Sequence, residues 1–165
     1  MRKLVASGLV VAMAWATAAL AGEEPKKGPD FATGTFVSVE VAGEVVKWQL
    51  DLGGDAGKKV YEMAVEVKVQ YTEKDGVKQA SGIRRAAGRD FPAKDGAVVA
   101  KGKLASAKLD GEKVLVTITP AEGDKALEVV LPAKLTVVYR KEGEKLAAFG
   151  IGIPRPPREP KAETK

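Results

Sequence analysis

From Tyr61 to Tyr71 large apolar residues alternate with positions that are polar save for Ala64. Tyr61, Met63, Val65, Val67, Val69 and Tyr71 take the odd positions, with Glu62, Ala64, Glu66, Lys68 and Gln70 between them. A period of two sends successive side chains to opposite faces of an extended strand. One apolar and one polar face suits a strand of an antiparallel sheet, packed on a core on one side and wetted on the other. Between Phe31 and Ile153 no stretch keeps a helical i, i+3, i+4 spacing over three turns, and Ile83 to Gly88 offers at most one turn. The region is therefore read as all-β.

Turn chemistry divides it. Asp75-Gly76, Asp95-Gly96 and Asp110-Gly111 are dipeptides that favour two-residue hairpin loops, whose central residues take positive φ. Ala42-Gly43 and Glu142-Gly143 stand in comparable places. These signals predict about eight antiparallel strands, near 33–41, 44–52, 59–72, 77–83, 97–109, 112–119, 125–140 and 145–152. Pro132 has no N–H to give a ladder, so the seventh strand should break or bulge there, or lie on an edge.

The pattern repeats at an offset of 68 positions without a gap. Gly34, Ser38, Gly43, Glu44 and Val46 fall on Gly102, Ser106, Gly111, Glu112 and Val114, and Val69, Tyr71, Ala80 and Gly82 fall on Val137, Tyr139, Ala148 and Gly150. Phase is preserved as well: Tyr61 to Tyr71 superposes on Val129 to Tyr139 with the same face apolar. A slip of one residue would turn every side chain to the other face, so common phase is a stronger sign than identity. Residues 34–82 and 102–150 are read as two duplicated four-strand units. A unit this small buries little surface alone, so the copies should share one core, as a barrel or a two-sheet sandwich within a single domain over 31–153. The alternative, in which each copy closes separately, gives tandem small barrels with a boundary around 88–96.

The stretches GTFVSVEVAGEVVKWQL and YEMAVEVKVQY, with their echoes GKLASAKLDGEKVLVTI and LEVVLPAKLTVVY, resemble the small OB-like β-barrel domains of uncharacterised exported bacterial proteins. The resemblance implies an envelope or secreted setting and a binding or structural role. It carries over no functional residues.

Outside the core region the ends have their own character. Residues 1–21 put Arg2 and Lys3 before an apolar run that closes on Ala19, Leu20 and Ala21, the layout of a secretory signal peptide cut before Gly22. A retained anchor is the rival reading, but Leu4 to Ala21 only touches the length a spanning helix needs, about 17 to 25 residues. The expected product is exported, periplasmic or extracellular, without a stable membrane span after cleavage. Residues 22–30 read as a flexible lead-in, and 154–165, with its prolines, as a disordered tail.

Composition narrows the chemistry. The formal charge of +5 falls when Arg2 and Lys3 leave, and both signs are interleaved, which describes a soluble surface better than a nucleic-acid footprint. The chain has no cysteine and no histidine. Disulfides, lipid-modified cysteine, histidine-based zinc, copper or haem sites, and Ser-His or Cys-His nucleophiles are excluded. No cofactor, metal or catalytic residue is assigned. DLGGDAG, Asp51 to Gly57, lacks the alternating acids and distal glutamate of a calcium loop and reads as a solvated turn. Trp48 alternates in phase with Val46 and Leu50, falls on Val116 in the second copy, and reads as core.

Arg84, Arg85 and Arg89, near Phe91 on the unrepeated connector, form the densest arginine group and the candidate ligand-binding loop. Guanidinium groups grip carboxylates and phosphates bidentately and stack on rings. The leading expectation is an exported, non-enzymatic β-domain that binds an envelope protein, glycan or small anionic ligand, or serves as a structural module, through loops or a free sheet edge. The alternative is a small-ligand carrier with a barrel lumen.

Overall fold

A computed structural model describes residues 28–155; the predicted signal peptide and nearly all of the Pro-rich tail lie outside them. The described chain is all-β, ten strands and one short 3₁₀ turn at Gly54–Ala56. The first copy supplies β1 (Asp30–Ala42), β2 (Val45–Asp51), β3 (Lys58–Ala64), β4 (Glu66–Lys74) and β5 (Val77–Arg85). The second supplies β6 (Ala97–Asp110), β7 (Lys113–Pro120), β8 (Leu127–Pro132), β9 (Lys134–Glu142) and β10 (Lys145–Gly152). Each copy thus has five strands where four were expected, because the long strands predicted at 59–72 and 125–140 each break in two. The second break follows Pro132 as the missing donor suggests. The first falls at the equivalent Val65, with no proline beside it, so proline is not its cause.

The cause is topological. The hydrogen-bonded order β3-β2-β1-β9-β10-β5-β4-β6-β7-β8, with added pairings β3–β10 and β5–β8, closes two rings of five strands. One ring is β1-β2-β3-β10-β9 and the other β6-β7-β8-β5-β4. Each takes three strands from one copy and two from the other. The chain crosses from the first ring to the second through Val65 alone and returns through Ala133 alone. Both crossing residues are held at N–H and C=O. Val65 donates to Glu44 O at 2.8 Å and accepts from Leu104 N at 2.9 Å, while Ala133 donates to Glu112 O and accepts from Phe36 N, each at 2.8 Å.

The 68-residue offset holds in register as well as in sequence. The β1–β2 ladder shifts between Phe36 and Ser38, and the β6–β7 ladder between the corresponding Leu104 and Ser106. Each ring closes on one parallel pair, Ala147 with Glu62 and Gln79 with Val130, which are again equivalent positions. The sheet is therefore antiparallel except at these two closures. The rings join where β5 and β10 pair antiparallel, with Ile83 opposite Ile151, its own equivalent.

The hairpins use two turn chemistries. At Asp75-Gly76 both residues have positive φ, 53° and 76°, as a type I′ turn asks. The other tight loops are Gly43-Glu44, Gly111-Glu112 and Gly143-Glu144, each with positive φ at the first, glycine position, as in a type II′ turn. The loops expected at Ala42-Gly43, Asp110-Gly111 and Glu142-Gly143 are thus displaced by one residue, and Asp95-Gly96, expected as a hairpin loop, instead ends the connector, since β5 and β6 do not pair.

A single apolar cluster runs through both rings. Equivalent positions carry different volumes: Phe36, Trp48, Tyr61 and Met63 fill the first ring where Leu104, Val116, Val129 and Leu131 fill the second, all buried. Trp48 is fully buried, as its phase predicts, and packs edge-on to Phe36 at 6.0 Å between ring centroids.

Gly34 and Gly102 mark where β1 and β6 leave one ladder for the next. A Cβ on Gly34 would stand 2.7 Å from Asp51 O, and one on Gly102 would press on Thr119 O and Ile118. Since the obstacle is backbone, Gly102→Ala should cost about 1–3 kcal/mol by overpacking. Trp48 is the sole tryptophan among the described residues and lies in the other ring. Denaturant unfolding followed by its fluorescence should nevertheless shift with Gly102→Ala, because neither ring keeps its strands if the other opens. A Trp48 transition left unshifted would show that the rings unfold separately.

Candidate functional site

β4 departs from the simple two-faced strand. Val67 and Val69 face the core, yet Lys68 and Gln70 on the opposite face are also buried, 2 % and 5 % exposed. They are covered by the connector between the copies. Lys68 Nζ donates to Gly88 O at 2.6 Å and to Asp90 Oδ1 at 2.7 Å, and Gln70 Nε2 donates to Pro92 O at 3.0 Å. Ser81 Oγ donates to Gln70 Oε1 at 3.0 Å and fixes that amide. Phe91 lies over Gly82, where a Cβ would come within 3.3 Å of its ring. The positions equivalent to Lys68 and Gln70 are Thr136 and Val138, so these groups serve the connector and nothing that the repeat shares.

Burying an ammonium is costly unless it is paired and hydrogen-bonded. Here Asp90 and a carbonyl do both. The hydrogen bond from Lys68, then the Lys68 charge, hold the Asp90 carboxyl below its ordinary range, with lesser help from Lys101 and Arg84.

The three arginines singled out in the sequence do not converge. Arg84, on β5, spends its guanidinium on the connector: Nη1 donates to Asp90 O at 2.7 Å and Arg89 O at 3.4 Å, and the group stacks 4.5 Å from the Phe91 ring centre. Its stem lies against Gly150, where a Cβ would approach Arg84 Cγ to 3.2 Å. Arg89 is exposed and enters this arrangement through its backbone carbonyl. Arg85, the next residue on β5, stacks elsewhere, 4.2 Å from the ring centre of Phe149 on β10. Arg140 on β9 stands 5.5 Å from the same ring centre. Phe149 and Arg140 were not singled out in the sequence. Phe149 sits in a stretch that reads only as strand, and Arg140 is 55 positions after Arg85, so pairing across β9–β10 had to be seen.

Among the hollows that open on the described surface are two that differ in size. The larger, about 820 Å³, lies at the mouth of the first ring among Thr33, Thr35, Phe36, Leu52, Lys58 and Lys134. The smaller, about 250 Å³, is walled by Ala64, Glu66, Arg85, Ala86 and Ala87 beside the Val65 crossing. Among the described residues, no group of three acidic side chains that could hold a metal ion occurs, and no helix is long and apolar enough to cross a membrane. The Asp51 to Gly57 loop turns on itself, with Asp51 Oδ1 accepting from Gly53 N at 2.9 Å.

No protein-family model matches the chain, and no curated protein or solved structure is similar enough to it to carry a comparison.

The Lys68–Asp90 latch is testable by a double-mutant cycle. Asp90→Asn should destabilise the chain, because the buried Lys68 Nζ loses its carboxylate and is left with one carbonyl partner; in a Lys68→Met background the same change should have little effect. Because the folded pKa of Asp90 is lowered, its contribution is present above the ordinary carboxylate value near 3.9 and is lost as pH falls through the folded value. Denaturation curves of the native chain and Asp90→Asn should stay separated at pH 5 and merge in strong acid. Curves that coincide at pH 5 would show that the latch adds nothing to stability.

Proposed function

We propose that the chain is an exported, non-enzymatic binding module built of two OB-like rings, recognising an envelope component through its outer surface. Strand order supports the OB-like reading: three strands in a meander and a fourth and fifth that return to complete a five-stranded ring. The observation that carries the functional reading is ring closure. With β3 on β10 and β5 on β8, neither ring presents a long free edge for an added strand. Recognition therefore falls to the outer strand faces and the connector.

The lumen reading has little to support it. An eight-stranded ring is just wide enough for side chains to fill, and a five-stranded ring is narrower. Its space is taken by Phe36, Trp48, Leu50, Tyr61 and Met63 in one ring and by their aliphatic equivalents in the other. The outer faces, in contrast, carry mixed polar and apolar residues at short, rigid strand positions: Ser38 Oγ donates to Gln49 Oε1 at 3.1 Å on one, and Leu115 pairs with Val130 on the other.

A photo-reactive residue placed at Gln49, Leu115 or Arg89 and irradiated in intact cells of the native host should give a reproducible cross-linked partner from at least one position. A persistent blank from all three, with the protein exported and folded, would sink the module reading.

A further inference from the structure

We propose that Arg85 and Arg140, set around Phe149, form a binding site for a phosphate-type oxyanion. Among the described residues three guanidinium groups stack on aromatic rings, and one of them supplies the comparison. Arg84 is spent: two connector carbonyls accept from it and Phe91 lies beneath it. Arg85 and Arg140 have ring contacts of the same kind, yet no hydrogen bond or ion pair among the described residues uses their donors. Each guanidinium has five N–H donors. Glu62, the acid of β3 and opposite Ala147 on β10, pairs with Lys145 at 3.3 Å. Glu66 lines the hollow beside Arg85 but stands beyond salt-bridge reach of it.

The fold does not require this grouping. At the offset of 68, Phe149 corresponds to Ser81, Arg140 to Thr72 and Arg85 to Ile153, and the other half builds the same β4–β5 ladder without a cation or a ring there. Two positive charges are thus gathered at one ring, within about a Debye length of each other (about 10 Å at 0.1 M salt), and neither has a salt-bridge partner. An anion placed between them would gain from both. A phosphate monoester brings a charge of about −1.5 to −2 and three acceptor oxygens, which match two guanidiniums better than a single carboxylate does. The half-buried Phe149 and Arg85 give the site a fixed floor, and the exposed Arg140 is free to close on the ligand. This deepens the binding-module reading and rests on it in placing recognition at the surface.

A free phosphate and a lipid headgroup share this chemistry, and two arms separate these sources. In the first, inorganic phosphate is titrated against chloride at equal ionic strength, and the amides of Arg85, Phe149 and Arg140 are followed by NMR. In the second, the protein is sedimented with phosphatidylcholine vesicles with and without phosphatidic acid. Saturable shifts that Arg85→Gln and Arg140→Gln each weaken about tenfold, and Arg89→Gln leaves unchanged, would support a soluble ligand. Sedimentation dependent on phosphatidic acid and lost in the same two variants would support a membrane source. Arg85→Lys and Arg140→Lys keep charge and stem and should retain part of the binding, which separates lost recognition from lost folding. No response in either arm, or a response indifferent to both arginines, would overturn the site. The cross-linking test of the module reading does not use these residues, so it can succeed where this fails.

Discussion

The whole arrangement depends on the length of two connections. In each ring the third strand runs parallel to the fifth, and the fourth lies beyond the fifth. For a copy to close on itself, its chain would have to pass from the end of the third strand to the start of the fourth across two strand spacings, about 9.5 Å. Only Val65 or Ala133 is available, and one intervening residue spans about 7 Å at most. Self-closure is geometrically out of reach. The fourth and fifth strands of each copy must therefore complete the ring of the other. It is a reciprocal strand exchange carried out within one chain, of the kind that short hinge loops impose between separate chains.

Several features follow from that constraint. The crossing residues need partners for both backbone groups because they belong to neither ladder, and the β1–β2 and β6–β7 hairpin turns supply their acceptors through Glu44 and Glu112. The rings share a continuous apolar cluster instead of two separate cores, so the asymmetry of filling, aromatic in one and aliphatic in the other, is absorbed in a common interior. The connector at 86–96 is also freed from being a domain boundary. Strands on both sides of it lie in the same ring, so it can lie down on β4 and β5 as a cover, held by Lys68, Gln70 and Arg84.

Much of this was legible in the sequence. The all-β class, the copies and their phase and the burial of Trp48 follow from a period of two and a fixed offset, and the break after Pro132 from its missing N–H. The break at Val65 was not, because alternation runs straight through it: Met63, Val65 and Val67 are all buried, and burial alone does not say in which ring. Nor could the offset reveal the exchange, since a repeat looks the same whichever copy completes which ring. The polar face of β4 misled in the opposite sense. Lys68 reads as solvated because its cover lies about twenty residues further on, and only the folded connector brings Asp90 to it.

Strand geometry likewise divides the arginine group seen in the sequence. Arg84 and Arg85 are adjacent on β5 and so point to opposite faces. The Arg84 guanidinium meets the connector, which is present once and has carbonyls to offer; that of Arg85 meets Phe149, carried by the bulge between Ala148 and Gly150 on β10. Proximity in sequence thus separates these charges, while antiparallel pairing of β9 with β10 brings Arg140 to the ring that Arg85 already covers. In a sheet protein, residues of a surface site are gathered across strands. A duplicated sheet adds an internal control, because a cluster found in only one half is a departure that the shared architecture does not demand, and departures of that kind are where recognition is best sought.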